Sequence, residues 1–354
     1  MQATRVGHCS SEYDFLLSLR DRESAEVGHS LRNVFDGSIA GWRQITEPAW
    51  KHWIPVNTFK FLGFDRMKRS RVVAIVSPKL EPRAVAGNVE KAEEARRALG
   101  PLGGVILEPL QVGVLEGADY AVFPYCRPVR IRRRFLRTMR RSLVGKRLLP
   151  WLRLATERTV QQPTAEERQD RFITPLEHLC DASSMPGHVR DAASLALGRL
   201  ERGAWQPQLA IMHDDLNLHN LLQPPGIAAW NRTIIIDWER SAVRGYGFYD
   251  LIAMTLWMKL GRGRLRAEID RHCRIMACDP VDVRGYMLAT LGGKSMTLDE
   301  PLPNPVTRRP DDVVNDDVMG SISRDQRKTV VDVAAALARL KQLDSLEAYL
   351  NDRH

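Results

Sequence analysis

The sequence lacks any apolar stretch long enough to cross a membrane. Its most apolar run, residues 251–260, is interrupted by Lys259, whereas a membrane-spanning helix needs about 20 consecutive apolar residues. The first residues also lack the basic and then apolar pattern of a secretory signal peptide. We therefore expect a cytoplasmic protein.

Paired cysteines are also missing. The five cysteines are scattered and none belongs to a Cys-x-x-Cys pair, so the sequence offers no disulfide framework. His272, Cys273 and Cys278 are close in sequence, but a metal site would need a fourth ligand and better spacing. With 354 residues, of which 44% are hydrophobic, the chain is long enough for about two domains around a sizeable core.

Acidic residues are absent from the segment 127–153, which contains ten arginines and one lysine. Apolar residues recur there at every fourth position, which predicts a helix with one apolar stripe and a cationic remainder. Three interpretations stay open. The helix is an exposed solvated face, or it contacts an anionic acceptor or the inner face of an anionic membrane. The third interpretation is nucleic-acid binding, which the scarcity of interleaved aromatic residues disfavours. No pattern predicts an oligomeric state.

Polar residues are concentrated after two short apolar runs. The first, 209–212, leads into the pattern His-x-Asp-Leu-x-x-x-Asn at 213–220, and the second, 233–236, leads into Asp237. Carboxylates and an amide at the ends of two strands can orient and deprotonate a hydroxyl group. They can also hold the magnesium ion of a nucleoside triphosphate. The alternative is a β-hairpin in which Asp and Asn merely cap a polar turn.

These motifs resemble those of the aminoglycoside phosphotransferase and choline kinase family, which has the protein-kinase-like fold. The family's catalytic loop, His-Gly-Asp-Leu-His-x-x-Asn, corresponds to 213–220. Its metal motif, Ile-Asp-(Trp/Phe)-Glu, corresponds to 236–239, and its Tyr-Asp-Leu to 249–251. The chain departs from the family at Asp214, where the family usually has Gly. The resemblance implies an α+β bilobal fold, with an antiparallel sheet plus helix in the N-lobe and a mostly helical C-lobe.

The same resemblance assigns roles to residues. Asp215 is the catalytic base, Asn220 and Asp237 are the Mg²⁺ ligands, and Asp250 supports the loop. The implied reaction transfers the γ-phosphoryl group of ATP to a hydroxyl of a small molecule or saccharide, including an anionic or lipid-linked sugar. Two alternatives stay open: a non-catalytic kinase-like binding protein, and a kinase acting on protein side chains. The insertion 224–231 is expected to lengthen the turn of a hairpin between the two motifs.

The first part of the chain alternates in a way that predicts strands, a helix and further strands. The predicted strands are 42–46, 58–64, 71–77, 104–107 with its continuation 112–115, and 120–124, and the helix is 88–99.

On the family template, Lys79 binds the ATP phosphates and Glu93 orients it, with Lys60 as the next candidate lysine. Tyr125 and Cys126 form the hinge at the adenine. The loop 51–57 should cradle the phosphates, although it contains no glycine to permit close backbone approach.

We expect a nucleotide-binding N-lobe at 1–124, with a leader helix within 1–40. The C-lobe at 125–354 would carry the catalytic loop, the metal site and the substrate-binding helices. Helices are predicted there at 189–200, 251–260, 263–276 and 329–350.

Overall fold

The computed structural model is an α+β arrangement in which an antiparallel sheet precedes a mostly helical region, as expected from the sequence. It describes the ranges 22–32, 39–45, 58–129, 143–183, 185–225, 233–257 and 261–296. Several predicted features therefore lie wholly or partly outside the described residues: 1–21 and 33–38 of the leader, the loop 51–57, 130–142 of the basic segment, 226–231 of the insertion, and the helix 329–350.

Five strands form the antiparallel sheet, in the order β1-β2-β3-β5-β4. They are β1 (Gly41–Gln44), β2 (Phe59–Phe64), β3 (Ser70–Val76), β4 (Gln111–Leu115) and β5 (Ala118–Pro124). The strands predicted at these places are confirmed. The strand predicted at 104–107 is wrong, because a 3₁₀ helix occupies Gly100–Val105. Pro101 fixes the first turn of this helix.

The sheet has one face covered by a helix and one that borders a cleft. Alternate residues of β2, such as Phe59 and Phe61, are buried together with Val27 and Leu31 of the first helix, α1 (22–32). The residues between them, including Lys60, are half-buried and point to the other side. This alternation decides which side chains of the sheet can reach the cleft.

The helix after the sheet's third strand, α2 (Ala84–Leu99), joins the two parts of the molecule. It begins four residues before the predicted start, and the N–H of Val85 donates to the Ser77 hydroxyl at 2.9 Å. The helix ends at Leu99, as predicted from the Gly-Pro pair that follows. Gly100 has a φ of +55°, a backbone conformation that glycine adopts without strain because it has no Cβ. Ala95 and Leu99 belong to the core of the helical region.

Besides the one-turn helix Ala165–Arg168, the described part of the helical region contains six longer helices. They are α3 (Leu149–Thr159), α4 (Thr174–Asp181), α5 (Gly187–Glu201), α6 (Tyr249–Trp257), α7 (Arg262–Ile275) and α8 (Asp282–Ser295). One-turn π segments, Val144–Leu148 and Gln169–Ile173, precede α3 and α4. The helices predicted around 189–200, 251–260 and 263–276 are confirmed in the described residues. Among these residues, no helix combines the length and apolar character that crossing a bilayer requires.

Helix α8 was not predicted, because its glycines lower helix propensity. The structure shows why they are there. A Cβ at Gly292 would lie 2.2 Å from the carbonyl oxygen of Pro175, at the first turn of α4. Glycine therefore allows α8 to approach α4 closely. An edge-to-face cluster of Phe172, Trp205 and Tyr286 fills the same core, with ring centroids 5.3–5.7 Å apart.

Two small sheets carry the motifs singled out in the sequence. β7 (Leu209–Met212) pairs with β10 (Ala242–Tyr246), and β6 (Arg127–Pro128), β8 (Leu221–Gln223) and β9 (Ile234–Ile235) form a three-stranded sheet. Antiparallel pairing of β8 with β9 confirms the predicted hairpin.

Candidate active site

The loop after β7 is held in place by hydrogen bonds to the buried carboxyl group of Asp250. The backbone N–H groups of His213 and Asp214 donate to the two oxygens of Asp250, at 2.5 and 3.1 Å. Asp250 lies at the start of α6 and is 4% exposed. Burial raises the pKa of Asp250 to about 7, against the effect of the two donated hydrogen bonds. This is the supporting role that the resemblance implied.

His213 connects the two motifs. Its Nε2 lies 2.9 Å from the carbonyl oxygen of Ile236, and its Nδ1 accepts from the N–H of Asp215 at 3.2 Å. A carbonyl only accepts, so Nε2 carries the proton and the ring is neutral. Burial lowers the pKa of His213, which keeps it so. Its ring also packs edge-on against Trp238, with centroids 4.6 Å apart.

The Asp215 carboxylate is held by two asparagine amides. Its Oδ1 accepts from Asn217 Nδ2 at 2.7 Å, and its Oδ2 accepts from Asn220 Nδ2 at 2.8 Å. Asn217 also caps the short 3₁₀ helix Leu218–Asn220 by accepting from the N–H of His219. Sequence reasoning gave Asn217 no role, although it stands where the family motif has His.

The β8–β9 hairpin places Asn220 and Asp237 at the same end. Its backbone hydrogen bonding extends one step beyond the paired residues Leu221 and Ile235. The N–H of Ile236 donates to the carbonyl oxygen of Asn220 at 3.0 Å, and Asp237 follows directly. Asn220 Nδ2 donates to both the carboxylate and the carbonyl of Asp215, which leaves its amide oxygen as the remaining polar atom of the side chain. Asp237 is exposed to the cleft, with a φ of +71°.

These two side chains fit a magnesium ion. Both present oxygen, the donor that Mg²⁺ prefers, and Mg²⁺ usually takes one or two protein ligands besides water and substrate phosphates. No group of three or more His, Cys, Asp or Glu side chains suited to a metal occurs within the described ranges. The other ligands would therefore come from phosphates and water.

Glu239 links this loop to α2. Its Oε2 accepts from Asn88 Nδ2 of α2 at 3.1 Å. Partial desolvation in the cleft and the neighbouring Asp237 carboxylate raise the pKa of Glu239, while Asn88, Arg240 and Lys60 act in the opposite direction. Lys60 therefore lies within electrostatic reach of Glu239, from the cleft face of β2.

Arg240 forms an ion pair with Asp214, with Arg240 Nε 3.1 Å from Asp214 Oδ2. The Asp214 side chain is 7% exposed and the Arg240 side chain 39% exposed. Asp214 thus turns away from solvent while Arg240 stays accessible at the edge of the loop.

A cleft of about 2610 Å³ lies between the sheet, α2 and the two motif loops. It contains most of the predicted site. The predicted residues that line it are Glu93, Tyr125, Cys126, Asp215, Asn220 and Asp237. In the predicted hinge, the N–H of Tyr125 donates to the carbonyl oxygen of Arg71 at 2.9 Å, and burial raises the pKa of the Cys126 thiol.

Lys79 is placed elsewhere, and the predicted pairing of Lys79 with Glu93 is not formed. Its ammonium pairs with Glu26 of α1 at 3.0 Å, and its N–H donates to Glu23 at 2.7 Å. After Val76, the chain passes to the outer side of the sheet, where α1 lies. Lys60 of β2 lines the cleft instead.

Neither a protein-family model nor a curated protein matches the sequence. Solved structures of similar shape include choline kinase from Streptococcus pneumoniae, with 13% identity, a TM-score of 0.47, and coverage of 90% of this chain and 98% of that chain. A GDP complex of an aminoglycoside 2'-phosphotransferase has 13% identity, a TM-score of 0.49, and coverage of 92% and 97%. A spectinomycin phosphotransferase with ADP and spectinomycin has 11% identity, a TM-score of 0.43, and coverage of 87% and 94%.

Proposed function

We propose that the protein transfers the γ-phosphoryl group of ATP to a hydroxyl group of a small molecule or saccharide, in a Mg²⁺-dependent reaction. The observation that carries the proposal is the Asp215 carboxylate, held by two amides in a large cleft that Asn220 and Asp237 also line. This arrangement supports phosphoryl transfer because that reaction needs little beyond positioning and charge stabilisation.

Asp215 would receive the acceptor hydroxyl. Each carboxylate oxygen has two lone pairs and uses one for an asparagine amide, so each can accept a further hydrogen bond. As the acceptor oxygen forms its bond to the γ-phosphorus, Asp215 takes the hydroxyl proton. The bond between the γ-phosphorus and the β–γ bridging oxygen breaks, and ADP leaves with that electron pair.

Asn220 and Asp237 would hold the metal ion, which when bound neutralises phosphate charge. Asn217 and Asn220 keep the Asp215 carboxylate in one orientation, and neutral His213 fixes the loop to the second motif. Lys60 replaces Lys79 as the proposed phosphate-binding lysine, because it lines the cleft and acts on Glu239.

Nucleotide binding is tested first, by thermal unfolding in the presence of Mg-ATP. A ligand at 100 times its dissociation constant stabilises by about 2.7 kcal/mol. We expect stabilisation by Mg-ATP that falls when EDTA is added. No stabilisation by ATP under either condition would contradict the proposal.

Turnover is tested by ADP release with a panel of sugars, amino alcohols and lipopolysaccharide fragments. Asp215→Asn should lower turnover by about 10²- to 10⁴-fold, the usual contribution of a general base, yet still bind Mg-ATP. Asp237→Ala should lose Mg²⁺-dependent stabilisation as well. Asp191→Asn, an exposed position of α5, is the matched control and should keep both properties.

Retention of more than a tenth of the turnover by Asp215→Asn would refute its role as base. Binding of Mg-ATP with no turnover on small acceptors or on added proteins would identify a non-catalytic binding protein instead. The lobe limits near residue 124 stay a prediction. Contact of the segment 127–153 with an anionic membrane is also still a prediction, because residues 130–142 lie outside the described ranges.

A further inference from the structure

Asp214 and Arg240 form a pair that the phosphoryl-transfer machinery does not require. Asp214 adopts a φ of +67°, a left-handed conformation that glycine adopts without strain. Only its backbone N–H is used by Asp250, and a glycine would offer the same N–H. The chain nevertheless carries a carboxylate here, and that carboxylate is ion-paired with Arg240.

The pairing prepares Arg240 to bind an anion. Asp214 engages the guanidinium at Nε, and a guanidinium carries further N–H donors on its two terminal nitrogens. The side chain is 39% exposed and lines the cleft together with Asp215 and Asn217. A guanidinium that is already anchored loses less conformational freedom when it binds, and its planar donors match a phosphoryl or carboxylate group.

Arg240 lies beside the proposed base, because its ion-pair partner Asp214 directly precedes Asp215 and both Arg240 and Asp215 line the cleft. Partial burial disfavours the charged guanidinium, but the carboxylates of Asp214, Asp215 and Glu239 raise the pKa of Arg240 and keep it charged.

We propose that Arg240, anchored by Asp214, binds an acidic group of the acceptor, a phosphoryl or a carboxylate, while Asp215 receives the acceptor's hydroxyl. This inference rests on the proposed function and names its substrate class as anionic hydroxyl compounds. The competing role is charge balance alone, since Arg240 lies among several carboxylates.

The binding test uses inorganic phosphate as the probe, with thermal unfolding as the readout. Phosphate is titrated onto the protein saturated with Mg²⁺ and a non-hydrolysable ATP analogue, with chloride at matched ionic strength as the blank. Because the analogue fills the γ-phosphoryl position, phosphate can then bind only at a second anion site. We expect an added upward shift in Tm for the wild type.

Three variants decide which residue causes the shift. Arg240→Gln should abolish the phosphate-dependent shift, and Asp214→Gly, which keeps the N–H donated to Asp250, should reduce it. Arg43→Gln is the matched control, because Arg43 also lines the cleft but extends from β1, and it should keep the full shift.

Each other outcome has a defined meaning. A shift seen with Mg-ADP but not with the ATP analogue would assign Arg240 to the γ-phosphoryl group and overturn the acceptor proposal. If the wild type shows no phosphate-dependent shift, or if Arg240→Gln keeps that shift, Arg240 serves only to balance the neighbouring carboxylates. Either result would overturn the acceptor proposal. Absence of stabilisation by any Mg-nucleotide is distinguishable from these, because it refutes the proposed function itself.

Turnover provides the second readout. Matched acceptors that differ only in an acidic group, such as hexoses, their 6-phosphates and the corresponding uronic acids, are compared by kcat/KM. The wild type should favour the acidic member. Arg240→Gln should reduce that preference by roughly 10- to 100-fold, the value expected for a hydrogen-bonded charge pair. A wild-type preference for the neutral member would overturn the proposal.

Discussion

At the scale of single residues, the site is organised by polar groups whose protonation is set by burial. Asp250 accepts two backbone N–H groups in the interior, and His213 is neutral with its proton on Nε2. Neither residue faces the cleft, yet together they fix the backbone on either side of Asp214. The loop 213–220 is therefore anchored by buried hydrogen bonds.

The pKa of Asp250 gives a pH-dependent prediction. Because burial raises this pKa to about 7, the folded state holds a proton that the unfolded chain releases at lower pH. The stabilisation from Asp250 should be complete below its unfolded pKa and lost as pH rises through about 7. Asp250→Asn cannot titrate, so the wild-type advantage in free energy of unfolding over this variant should shrink between pH 5 and 8.

Urea unfolding of both proteins across this pH range measures the difference. Glu167→Gln is the control, because hydrogen bonds from Arg244 lower the pKa of Glu167 to about 2. Its contribution is therefore already complete at pH 5, and the difference from wild type should stay constant. A wild-type advantage over Asp250→Asn that stays constant from pH 5 to 8 would show that Asp250 is already ionised in the folded state at pH 5.

At the scale of elements, strand β2 and helix α2 place charged and polar side chains in the cleft, where a bound nucleotide would contact them. Side chains alternate along β2, so Lys60 faces the cleft while Phe59 and Phe61 face α1. Helix α2 contributes Asn88, whose hydrogen bond to Glu239 connects α2 to the loop that follows β9. Lys79, by contrast, follows the end of β3 and contacts α1 on the opposite side of the sheet.

The two lysines should therefore differ in function. Lys60→Met is expected to lower kcat/KM for ATP on the order of 10²-fold, as loss of a group that stabilises developing charge does. Lys79→Met should leave the kinetics unchanged and alter stability little, because its partner Glu26 is 57% exposed. Steady-state kinetics with ATP as the varied substrate measures both effects. The reverse ranking of the two variants would restore Lys79 as the phosphate ligand.

At the scale of the whole molecule, two hydrophobic cores lie on either side of one cleft. One core packs the sheet against α1, and the other unites the helices with Ala95 and Leu99 of α2. The residues with proposed roles come from both sides: Lys60 from the sheet, and Asp215 and Asp237 from the helical region. A nucleotide in the cleft would contact both, so its binding should couple them.

Hydrogen exchange tests this coupling. Mg-ATP should slow exchange of backbone amides in β2 and β3 and in the loop 213–220 together, because ligand binding stabilises the elements it contacts. Helix α5 provides the internal control, since none of its residues lines the cleft, and its exchange should change least. Protection confined to one side would mean that the nucleotide does not bridge the cleft.

The sequence by itself identified the residues of the candidate site. His213, Asp215, Asn220 and Asp237 could be identified because they follow apolar strands at fixed spacing, and a hairpin between such strands brings their ends together. Most strands and helices were likewise visible, because side-chain periodicity is a local property. Helix α8 was missed, since its glycines serve contacts with distant residues such as Pro175.

Only the tertiary structure decided which charged groups meet across the cleft. A shift of one residue along a strand reverses the face of a side chain, so sequence could not separate Lys60 from Lys79. The contacts Asn88–Glu239 and Asp214–Arg240 join residues 151 and 26 positions apart, and no local pattern encodes such distances. They depend on how α2 and the two motif loops pack, which is set by the cores on both sides of the cleft.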